Sequence, residues 1–177
     1  MTNEERHLIK ECRIMVIGTD TFVAYLKSEL KSIGFSNIVV GNDTDYQKNS
    51  TTINIISEYG GNKNSHFVSD IVSVPIIYTF DFVRGAGAIV IMPGDDKEVL
   101  AQTDLRLWAA EYMSGYCAFW NMEGCDWLGE ALPEIKAGVT NESTQRLAAH
   151  ICARIAANIA VGREVKHFPR FYLAGSE

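Results

Sequence analysis

The sequence predicts an α/β fold: a Rossmann-like, doubly wound, largely parallel sheet with helices on both faces. Apolar, β-branched runs of strand length alternate with amphipathic stretches of helix length. The segment from Cys12 to Asp45 reads strand, turn, helix, strand in direct succession. That is the first unit of a nucleotide-binding sheet. Glycines punctuate it, with Gly18 after the first apolar run, Gly34 after the helix and Gly41 after the second run.

Each element follows from local pattern. Asn3 to Lys10 suits a short leading helix, and Arg13 to Gly18 is the first strand. Thr21 suits an N-cap, and Phe22, Leu26, Leu30 and Ile33 share one helical face. Asn37 to Val40 is the second strand, followed by a polar loop from Gly41 to Ser50. Thr51 to Ile56 and Ile71 to Phe82 are β-branched runs, the latter interrupted by Pro75. Ala88 to Met92 reads as a buried strand. Pro93-Gly94-Asp95-Asp96 then turns it into a helix reaching about Met113. Tyr116 to Trp120 reads as a further strand, and Asn121 to Gly138 as a loop with one short helix. Asn141 or Ser143 opens a long helix through Ala160 that stops at Gly162, and Phe168 to Ala174 is a last strand. The four central strands, Arg13 to Ile17, Asn37 to Val40, Ala88 to Met92 and Tyr116 to Trp120, are expected to run parallel. The turns at Gly18, Gly41 and Pro93 should then share one edge, where open α/β sheets bind ligands.

Composition narrows the function classes. A chain of 177 residues suits one domain with a substantial core, here residues 1–177. A net charge of −6 with no Lys/Arg cluster argues against a nucleic-acid surface. No apolar run spans a bilayer, and the charged N-terminal stretch lacks the apolar core of a signal peptide, so a cytoplasmic location without a membrane partner is expected. The four cysteines, Cys12, Cys117, Cys125 and Cys152, form no C-x-x-C pair and no zinc pattern, so no metal site is assigned. They read as free, mostly buried thiols. No nucleophile or other catalytic residue is assigned, and the four histidines share no spacing. Trp108, Tyr112 and Tyr116 form a stripe at helical spacing within an aromatic stretch ending at Trp127. Core packing explains such a stripe; an interface is the alternative.

Several local spellings resemble the ThiF/MoeB/ubiquitin-activating superfamily, whose members use ATP to adenylate the C-terminus of a ubiquitin-like protein. Arg13 to Gly18 resembles the family's first strand, and Ile33 to Val40 its second. Asp43 to Asn49 is similar in spacing to its nucleotide-contacting D-x-V-x-x-x-N segment. Ile89 to Asp96 resembles the strand that ends in the acidic turn, and the segments from Ala137 to Leu173 its last helix and strand. The resemblance implies a nucleotide site at Gly18, Asp20, Asp43, Asn49, Asp95 and Asp96, with magnesium held by the last two acids. It also implies a homodimer, or a heterodimer with a ThiF-like homologue, and a ubiquitin-like partner. Arg6 would then reach a neighbouring subunit's nucleotide.

Departures from the family pattern bear on activity. The glycine-rich turn reads Gly18-Thr19-Asp20-Thr21-Phe22-Val23, with an acid where the backbone would approach a phosphate. Phe22 and Val23 crowd the helix start. Ser50, Thr51 and Thr52 stand where an Arg is expected, and Lys63 is a weak stand-in for the downstream Lys. Adenylyl transfer depends on positive groups around phosphate oxygens, so their loss weakens it. Asp95 or Asp96 capping a helix, and Asp43 or Asp45 in a plain polar loop, are the structural alternatives to ligand roles. Three readings follow: an adenylation-deficient partner or regulatory subunit, an active ATP-dependent adenylating enzyme, or a sensor module for NAD or another nucleotide. The cofactor, ATP with magnesium included, stays unassigned.

Overall fold

The computed structural model describes residues 1–18, 20–41, 52–57, 74–95 and 104–176. Among these the order is α1 (Asn3–Glu11), β1 (Arg13–Ile17), α2 (Asp20–Ile33), β2 (Asn37–Val40), β3 (Ile53–Ile56), β4 (Ile76–Asp81) and β5 (Gly85–Ile91). Then come α3 (Leu105–Phe119), α4 (Asp126–Lys136), α5 (Glu142–Ala160) and β6 (Tyr172–Gly175).

The strands form one six-stranded sheet in the order β2-β1-β3-β4-β5-β6. β1 pairs in parallel with β2 and β3, and β3 pairs in parallel with β4. β5 is antiparallel to both β4 and β6. The sheet is thus mixed and largely parallel.

Hydrophobic alternation along the strands divides the core in two. Ile14, Val16, Ile53, Ile55, Ile77 and Val90 meet α1, α2 and α5 on one face. Met15, Ile17, Ile56, Tyr78, Ile89 and Ile91 meet α3 and α4 on the other. Helices on both faces fulfil the doubly wound expectation. On α2, Phe22, Leu26 and Leu30 are buried, as their spacing predicts. The helix starts at Asp20, ahead of Thr21, and ends at Gly34, whose φ of +126° relieves the chain of a strained side chain.

The structure corrects three expectations. Tyr116 to Trp120 is not a strand but the end of α3 and its cap. The aromatic side chains suit a strand, yet Trp108, Tyr112, Tyr116 and Trp120 recur every fourth residue, and their rings pack along the helix. Trp108 stacks on Tyr112 at 5.2 Å, and Tyr116 meets Trp120 at 6.3 Å. α3 is capped by Asp104, which accepts from the Leu107 amide at 3.1 Å, so neither Asp95 nor Asp96 caps it. The Ala88 to Met92 strand exists within β5 but runs antiparallel to its neighbours. Only Phe82, Val83 and Arg84 join β4 to β5, and a parallel neighbour needs a far longer crossover.

Small residues on β5 make room for the second core. A Cβ on Gly85 would collide with the Trp127 ring and the Ala174 carbonyl. That contact seats α4 against the β5–β6 pair.

Candidate functional site

The order β2-β1-β3 means that the chain leaves β1 toward one side and later returns to its other side. The crevice between the ends of β1 and β3 is therefore the topological switch point, where ligands bind in such sheets. Gly18 and Ser57 stand there, with α2 opening at Asp20 and Gly41 at the end of β2. The Gly41 amide donates to the Val16 carbonyl at 3.0 Å, which holds the two turns together.

Gly18 packs directly against Ser57. The Ser57 amide donates to the Ile17 carbonyl at 2.8 Å, and its hydroxyl donates to the same oxygen at 3.1 Å. This fixes the hydroxyl against Gly18, where an added Cβ would overlap Ser57 Oγ and lie 3.4 Å from Val23. Phe22 and Val23 are buried in the α2-side core. The glycine at 18 thus serves a close approach to protein, as well as ending a strand.

Asp95 is parted from Gly18. Ile91 pairs with Ile76 at the start of β4, so the Pro93 turn lies at the opposite edge of the sheet from the Gly18 and Gly41 turns. The expectation that all three share an edge fails because β5 runs antiparallel. Asp95 accepts from the Met92 amide at 2.7 Å and meets His167 Nδ1 at 2.8 Å. Sequence reading missed His167, since the two partners are distant in the chain and only the fold unites them. Asp43, Asn49 and Asp96 lie outside the described residues, as do Lys63 and the side chain of Asp20.

A second residue escaped the sequence reading. Asp81 ends β4 at the Gly18 edge and is buried. Its carboxylate accepts from the Val83 amide at 2.8 Å, the Asn141 amide at 2.7 Å and the Thr144 hydroxyl. Arg106 Nε donates to the Asp81 carbonyl at 2.7 Å, and Asn141 Nδ2 to the Val83 carbonyl at 2.8 Å. These bonds tie the β4–β5 turn, in which Val83 has a φ of +70°, to the start of α5. Its geometry is that of a latch, because each oxygen is already occupied by a donor. The only signal was one acid inside an apolar run.

Two arginines near this edge are also engaged. Arg84 bonds Glu134 and Glu130 on α4, and Arg106 Nη2 donates to the Val139 carbonyl at 2.6 Å. Among the described residues no group of three His, Cys, Asp or Glu could hold a metal, and no helix is long and apolar enough to cross a membrane.

At the end of α3, Tyr116, Phe119, Trp120 and Met122 are exposed, Phe119 at 79% and Trp120 at 61%. Trp108 and Trp127 instead are half-buried within the chain. The stripe therefore begins as packing and ends as an apolar surface.

Two solved structures share the architecture. E. coli MccB with ATP superposes with a TM-score of 0.56 at 10% identity, over 89% of this chain and 59% of that one. A heterocyclase in complex with substrate and cofactor superposes at 0.51 with 18% identity, over 89% of this chain and 20% of that one. The chain shares the fold of these two proteins. At these identities the likeness is one of fold, and the chain spans less than two thirds of either neighbour. No protein-family model matches the sequence, and neither does any curated protein.

Proposed function

We propose that this chain is an adenylation-deficient ThiF-like domain that acts as a non-catalytic partner or regulatory subunit. One observation carries the reading: Gly18 packs directly against Ser57 with Val23 beside it, and the next turn of chain opens α2 with an acid and two bulky buried residues, Phe22 and Val23, in place of glycines. Asp20 adds an acid at the first residue of α2, where the helix dipole would otherwise favour an anion. Arg84 and Arg106, at the same edge of the sheet, bond protein groups. Asp95, proposed from sequence as a magnesium ligand, stands at the far edge beside His167.

The partner side of the reading rests on the exposed Tyr116, Phe119, Trp120 and Met122. An apolar cluster of this kind favours association. A ThiF-like homologue, a second copy or a ubiquitin-like protein in the cytoplasm would bury it. That the same fold forms 20% of a larger heterocyclase chain accords with a domain working beside other machinery.

ATP–pyrophosphate exchange tests the deficiency. The chain alone should show none above background with any ubiquitin-like carboxyl terminus supplied. Exchange dependent on magnesium would instead support the active-enzyme reading.

A further inference from the structure

Between α3 and α4 lies an open cavity of about 360 Å³, lined by Ser114, Cys117, Met122, Cys125, Asp126 and Glu130 among others. Cys117 is buried on the last turns of α3, and Cys125 is half-buried at the N-cap position of α4. The chain folds back between them, the Met122 amide donating to the Cys117 carbonyl at 2.9 Å. Both cysteines line this one cavity, and Cys125 points its S–H toward the Glu123 carbonyl at 3.8 Å. Cys12 and Cys152 are buried in the core of the other face, away from this cavity.

We propose that Cys117 and Cys125 are a reversible dithiol–disulfide pair, oxidised by a low-molecular-weight disulfide of the glutathione class entering the cavity between α3 and α4. Two cysteines that line one space open to solvent offer what thiol–disulfide exchange requires. The more accessible Cys125 attacks first. Its thiolate forms a bond to one sulfur of the small disulfide, and the other sulfur leaves as a thiolate that takes up a proton. Cys117 then loses its proton to solvent and attacks the Cys125 sulfur, expelling the second small thiol. The balance is one protein dithiol and one small disulfide giving one protein disulfide and two small thiols.

Burial and the neighbouring Cys125 push the Cys117 thiol up to about 12, which suits the resolving partner rather than the initial nucleophile. The consequence lies in what the bond would enclose. Phe119, Trp120 and Met122, three of the four exposed residues of the patch, fall between the two cysteines. Oxidation would close a ring around that surface and fix its shape.

The test uses the full chain, incubated with oxidised or reduced glutathione and then alkylated. Trypsin should release Leu107 to Lys136 as one peptide, which holds both cysteines. The expected result is loss of two hydrogens and resistance to alkylation in oxidised glutathione, both reversed by dithiothreitol. Cys117→Ser should instead retain glutathione on Cys125. A native chain in which both cysteines stay alkylatable, or in which glutathione persists on Cys125, would overturn the proposal. Because the readout is a covalent bond, it is independent of whether the chain binds nucleotide.

Discussion

Gly18 and Ser57 are in direct contact across the gap between β1 and β3, so that no side chain fits at position 18. A ligand crevice in this architecture is normally open at that point. Gly18→Ala should destabilise the chain by about 1–3 kcal/mol through overpacking. Ser57→Gly in the same chain should recover most of the loss, although Ser57→Ala should recover less, since Ser57 Cβ lies only 3.1 Å from the new methyl. Urea unfolding of the single and double variants reads the coupling directly. Additive losses would mean that the two residues do not share one space.

Asp81 should behave as a structural latch. Asp81→Ala leaves the Val83 and Asn141 amides without their acceptor, and the loss should be about 2–4 kcal/mol. Thr144→Val removes one donor and should cost about 1 kcal/mol. Thermal unfolding of both variants checks the order. Equal or reversed effects would mean that the carboxylate is not the organising group.

Alkaline pH should weaken the fold through Cys152. Burial holds its thiol well above the ordinary value of 9.0. A raised value means that stability is fully present below pH 9.0 and falls above it, as the unfolded chain gives up a proton that the folded chain keeps. The slope should approach about 1.4 kcal/mol per pH unit for this one group. Urea unfolding in reducing buffer at several pH values measures it. Cys152→Ala should be less stable at neutral pH but lack this part of the slope; an unchanged slope would contradict the assignment.

The exposed end of α3 should drive association. Phe119→Ser with Trp120→Ser should change unfolding stability little, because both side chains are mostly in solvent. The same change should abolish self-association seen by light scattering, where an interface would bury at least about 1,000 Å². A native chain that stays monomeric at high concentration and captures no ThiF-like homologue would leave the patch without an associative role.

The sequence made some of this legible and hid the rest for physical reasons. β1, α2, β2 and α5 follow from periodicity and caps, with Asn141 capping α5 through the Ser143 amide at 2.9 Å. The end of α3 misled because Tyr, Phe and Trp favour strands, whereas their four-residue spacing belonged to the helix. α4 is the one short helix expected between Asn121 and Gly138, although Gly129 and Pro133 hid its bounds. The direction of β5 depended on the shortness of its link to β4, and that one reversal carried Asp95 away from Gly18. Asp81 and His167 were invisible because their partners come from remote parts of the chain. The resemblance read from the sequence, in contrast, rested on the order of elements, and two solved structures share the resulting fold.

Nucleotide binding tests the central claim most directly. Isothermal calorimetry with ATP, with and without magnesium, should give a dissociation constant no tighter than about 0.1 mM, or about −5.5 kcal/mol. AMP and NAD should bind no better. Micromolar affinity for ATP would show that the Gly18 turn admits phosphate despite Asp20, Phe22 and Val23, and would contradict the account of a chain deficient in adenylation.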